Sequence, residues 1–204
     1  MWTRNVASWS IAFLCVVAPA SANPSCSRSV LPDTAFSEFG PDAQTYLHQQ
    51  YSQLLCNLGE AALPDSRGTD FSVRLIVDAS WGDGVLVRIE QSGERSAGTR
   101  KKWRKALTAD NRPIVTIQQQ RFAIMPADIT RLQRAVDELG LRSPNRVDRM
   151  EIVDGLAWFV EVSFGGRHHF LASTSPREYE PIRRFGEMVR DIADVNLPRS
   201  RPNE

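Results

Sequence analysis

Residues 154–176 read DGLAWFVEVSFGGRHHFLASTSP, and the reading of this stretch decides the fold. Leu156–Phe164 is an apolar, β-rich run, Gly165-Gly166 a turn, and Arg167–Ser173 a return strand. Both turn residues can take positive φ without steric cost, so Gly-Gly between two such runs signals a hairpin. A two-residue turn pairs Phe164 with Arg167 and Trp158 with Ser173. Alternation then puts Trp158, Val160, Val162, Phe164, His169 and Leu171 on one face. The other face carries Phe159, Glu161, Ser163, His168, Phe170 and Ala172. The first row is continuous and apolar, and belongs against the stripe of a helix.

That helix follows in sequence. It starts near Pro181, turns Ile182, Phe185, Val189 and Ile192 inward, and ends before Pro198. Upstream, Ile129, Leu132, Val136 and Leu139 recur at helical spacing and stop at Gly140, which predicts a second helix over 127–139. Leu141–Arg149 reads as a loop, and Met150–Val153 as the start of an extended segment. Further upstream the period is two. Phe71, Val73, Leu75 and Val77 alternate with polar residues, as do Val85, Val87 and Ile89. Gln91–Gly98 reads as a turn, Thr99–Leu107 and Ile114–Gln120 as further strands. Leu47, Tyr51, Leu54, Leu55 and Leu58 mark a first helix over 42–58. Strands in runs, punctuated by about three helices, predict an α+β fold. Its antiparallel sheet combines a meander with the C-terminal hairpin.

The N-terminus has the layout of a secretory signal. Arg4 gives a positive start, Ile11–Val17 an apolar core, and Ala20-Ser21-Ala22 a cleavage site before Asn23. The core runs about 9 residues, against roughly 20 needed to cross a bilayer, and no later stretch is apolar enough to span one. The expected product is a periplasmic or secreted chain with residues 23–40 as an arm, one domain over 41–197, and a frayed tail over 198–204. Cleavage removes Arg4 and no acid, leaving 24 basic against 24 acidic residues. Near neutrality argues against generic nucleic-acid binding. Cys15 leaves with the signal. Cys26 and Cys56 remain as an even pair for an oxidising compartment, and we expect them bonded to each other rather than to a metal.

Two features could carry chemistry or binding. Glu161 and His168 are diagonal neighbours on one hairpin face, about 7–8 Å apart by Cα. A carboxylate could there orient an imidazole as a general base, with Asp154 close in sequence. The plainer reading is a polar pair on a half-exposed sheet face. His168 and His169 point to opposite faces, so they cannot share a metal, and neither metal nor cofactor is expected. The run Arg100-Lys101-Lys102-Trp103-Arg104-Lys105 is the densest charge feature. It could present cations and an aromatic anchor to an anionic partner, or be an edge strand protected by its lysines. No phosphate loop, nucleophile elbow, zinc-protease helix or calcium loop is present.

From Phe71 to Ala193 the chain resembles a group of uncharacterised exported bacterial proteins. The resemblance is carried by FSVRLIV, GVLVRIE, ITRLQRAVDELGL, DGLAWFVEVSFGGRHHFLASTSP and PIRRFGEMVRDIA. In that group an Asp-Gly…Trp…Glu hairpin, a Gly turn, a Tyr/His pair and a Ser-Pro lead into a last helix. Here His168-His169 stands where the group has Tyr-His, and Ser173-Thr174 where it has Arg-Trp. The resemblance implies no known activity and assigns no catalytic residue. The expected function is therefore a non-enzymatic interaction or envelope-associated module whose partner is a protein or an anionic envelope component. The alternative is a small hydrolase or transferase using Glu161 and His168.

Overall fold

The computed structural model describes residues 30–33, 35–37, 40–63, 69–79, 83–107, 113–141, 146–149, 155–165 and 167–196. The proposed signal peptide, Cys26, Asp154, Met150–Val153 and the C-terminal tail lie outside them. Elements run α1 (Pro41–Asn57), β1 (Phe71–Ala79), β2 (Asp83–Ser92), β3 (Arg95–Leu107), β4 (Pro113–Phe122) and α2 (Pro126–Glu138). They continue with β5 (Arg146–Arg149), β6 (Leu156–Phe164), β7 (Arg167–Thr174) and α3 (Pro181–Ala193). The fold is α+β, as the order of periods predicts.

One seven-stranded sheet runs β4-β3-β2-β1-β6-β7-β5. Six strands pair antiparallel, and β5 joins β7 in parallel. The two halves of the chain meet where β1 pairs with β6. The hairpin has the expected register, Phe164 with Arg167 and Trp158 with Ser173, and Gly165 takes φ 58° in its turn.

Alternation sorts the core into two layers. Val73, Leu75, Val77, Trp158, Val160, Val162 and Leu171 face α2 and α3, meeting Ile129, Leu132, Val136, Phe185 and Val189. Trp158 is fully buried against Gly186 of α3, where an added Cβ would lie 2.4 Å from its ring. The Arg183 guanidinium sits 4.7 Å from the centre of that ring. Among the described residues each of the three helices begins with proline at its first turn, where the missing N–H is no loss.

The opposite layer departs from expectation. The second face is not half-exposed: Ile76, Leu86, Trp103, Phe159, Phe170 and Ala172 pack there against Leu47, Tyr51, Leu54, Leu55 and Leu58. The arm takes part too, through buried Val30, Leu31, Ala35 and Phe36. Phe36 sits 5.0–5.9 Å, ring centre to ring centre, from Tyr51, Phe159 and Phe170. Its φ of 63° is unfavourable for a bulky side chain, and this aromatic nest holds it there. An aperiodic, polar-rich segment hides such anchors because each acts alone.

Three boundaries also differ. Arg146–Arg149 is a strand, not loop, because the backbone of β7 offers it a partner that RVDR does not advertise. The turn after β2 is only Gly93-Glu94, with Gly93 at φ 57°. The polar residues around it belong to strand ends. Lastly, β3 lies between β2 and β4, so the basic run is not an edge; β4 is.

Candidate functional site

The residues that alternation would turn to water on β1 are buried. Ser72 and Arg74 have no exposed surface and Asp78 only 4 %. Arg74 lies directly opposite Glu161 on β6 and opposite Arg88 on β2. Its guanidinium donates from Nε to Glu161 Oε1 and from Nη2 to Glu161 Oε2, both at 2.8 Å. Nη1 donates to the Ala61 carbonyl at 2.8 Å. This two-pronged geometry is the strong form of a charge-assisted hydrogen bond.

Glu60, just past α1, lies over three cations. Its carboxylate is 2.5 Å from Lys101 Nζ, 3.4 Å from Arg88 and 3.7 Å from Arg74. Lys101 also donates to the Leu58 carbonyl at 2.5 Å, and Arg88 pairs with Glu90 at 2.6 Å. Three cations thus meet three carboxylates, which is how buried charge becomes tolerable. Three of the four backbone or side-chain acceptors from Leu58 to Ala61 and Val30 belong to the α1 end, so the cluster fastens α1 to the sheet.

The expected Glu161–His168 pair does form: His168 Nε2 lies 3.2 Å from Glu161 Oε2. Glu161 is wholly buried, however, and His168 reaches the rim with 13 % of its side chain exposed. Burial alone pushes the Glu161 carboxyl up. The Arg74 charge, with His168 and the Arg74 hydrogen bonds, outweighs it and holds the carboxyl below its ordinary value. A carboxylate so placed is a weak base. Tyr51, nearby in the same layer, is pushed the other way: burial and then the Asp78 charge keep its phenol protonated. Ser163 stands opposite His168 in the register. His169 is buried on the α2–α3 face, so the two histidines do part as expected. Among the described residues no group of three or more His, Cys, Asp or Glu is placed to hold a metal.

The basic run does not make one surface. Lys101 and Trp103 are buried under α1. On the other face Arg100 donates to the carbonyls of Ala193 and Asp194, closing the end of α3 where cations are favoured. Arg104 pairs with Asp83 at 2.8 Å, and Lys102 is exposed. The Lys105 side chain lies outside the described residues. Sequence reasoning missed Arg74, Glu60 and Arg88. The one signal available was Arg74 in the middle of a strand rich in apolar residues, FSVRLIVDA, between Val73 and Leu75. Cys56 is buried on α1 at 3 % exposure, and its expected partner lies outside the described residues. No helix among the described residues is long and apolar enough to cross a membrane.

No protein-family model and no curated protein matches the chain.

Proposed function

We propose that the protein is an exported, non-enzymatic interaction module of the cell envelope, periplasmic or secreted after cleavage at Ala22, and related to the group it resembles. One observation carries the reading: both oxygens of Glu161 are held by Arg74 in a fully buried pair. The most reactive-looking carboxylate in the hairpin is thereby spent on structure. Helices cover both faces of the sheet, so among the described residues the sheet itself is open at its terminal strands, β4 and β5. In this reading a Cys26–Cys56 bond ties the arm to α1. In the chain-entropy model a bond closing such a loop stabilises by about 3–4 kcal/mol.

Pull-down from envelope extract with the exported protein tests the module, with specific capture of an envelope component as the expected result. Capture of nothing beyond the bare-resin background counts against it. N-terminal sequencing of exported material should begin at Asn23; an intact Met1 would refute the export. Intact mass after thiol blocking, with and without reduction, should show Cys26 and Cys56 blocked only after reduction. A second reading rests on the 3.2 Å contact of His168 with Glu161, and makes the protein a small hydrolase or transferase. Turnover of an ester or phosphoester that is lost in His168→Ala would put it first.

A further inference from the structure

The sheet ends at β4, which has β3 on one side and no strand on the other among the described residues. Natural edges are usually short, bulged, charged or interrupted by proline, because an unpaired row of N–H and C=O groups invites another strand. Between its first residue, Pro113, and Arg121 near its end, β4 uses none of these. It runs ten residues, pairs with β3 from Gly98–Phe122 to Leu107–Pro113 without a register shift, and has its proline at the first position. Its exposed central side chains are Gln118, Gln119 and Gln120, with one charge, Arg121, toward the end.

We propose that this edge pairs with a second copy of the chain, antiparallel about a two-fold axis at Gln119. The proposal rests on the interaction-module reading and adds to it a second copy of the chain. In that register Gln118 faces the partner's Gln120, and Ile117 faces the partner's Arg121, so no like charges meet across the axis. The carboxamide is also complementary to itself, carrying both donor and acceptor. Gln120 already accepts from Arg100 through its Oε1, at 2.8 and 3.1 Å. Its NH2 is what it has left to offer, and the oxygen of the partner's Gln118 can accept it. The other end of the sheet offers no equivalent: β5 has four residues and a register shift. Pairing of β4 with β4 therefore closes on itself as a dimer instead of growing into a fibre.

Sedimentation equilibrium of the purified protein at micromolar concentration should return twice the chain mass. Gln119→Lys and Gln119→Glu each place like charges on the axis and should weaken self-association by up to about fivefold. An equimolar mixture of the two should restore the dimer, which a folding defect would not do. Far-UV circular dichroism of each variant checks that the fold is kept. A monomeric wild type, or Gln119→Lys and Gln119→Glu both dimerising like wild type, overturns the proposal. A monomer that still captures an envelope component overturns the self-pairing alone, whereas a monomer that captures nothing removes the module reading with it.

Discussion

Arg74 and Glu161 face each other across β1 and β6 with no exposed side-chain surface. Burying both is costly, and their attraction offsets the cost only while both are present. Removing one leaves the other uncompensated, so Arg74→Met or Glu161→Gln alone should cost roughly 3–5 kcal/mol, and the double replacement clearly less than the sum. Denaturant titration of the cycle measures this; additive losses would mean the two act independently. The pH dependence has a definite sign. Glu161 is depressed below its unfolded value of about 4.3, so its ionised form contributes stability above that pH. The contribution drains away as pH falls through the lower, folded-state value. Wild type should therefore lose more stability than Glu161→Gln when titrated from neutral pH into acid.

At the scale of elements, the hairpin tests how each face is used. Trp158 is fully buried under α3, and Trp158→Ala should cost roughly 3–5 kcal/mol of a margin that is about 5–15. His168 stands at the rim of the other face and is one partner of the buried Glu161 carboxylate, so His168→Ala should cost about 1–2 kcal/mol, less than Trp158→Ala. Equal losses in denaturant titration would contradict the assignment of faces. The hairpin's register was legible because Gly165-Gly166 fixes the turn, and the helices because Leu47–Leu58, Ile129–Leu139 and Ile182–Ile192 keep a helical period. What lies on the second face was not legible. Alternation says that Ser72, Arg74 and Glu161 leave the first core, but not whether water or a helix receives them. Arg74 and Glu161 are 87 residues apart, and only the pairing of β1 with β6 brings them together. The same holds for the basic run: its alternation was readable, whereas its place inside the sheet depends on β4 closing over it.

Across the whole molecule, the sheet has two unlike covers. α2 and α3 rest on a mainly apolar layer, with His169 and Ser173 as its buried polar members. α1 combines an apolar body with a charged end, where Glu60, Ala61 and Leu58 are gripped by Lys101, Arg88 and Arg74. The charged constellation is on this account a fastener for α1, and Glu161 belongs to it. Glu60→Ala should then loosen one cover selectively, since Lys101 and Arg88 lose their shared carboxylate while the α2–α3 layer is untouched. Hydrogen exchange resolved along the chain is the most direct measurement. Glu60→Ala should speed exchange across Pro41–Asn57 and leave β1, β6 and α3 protected; unchanged exchange in α1, or a loss of protection spread evenly over all three helices, would contradict the account.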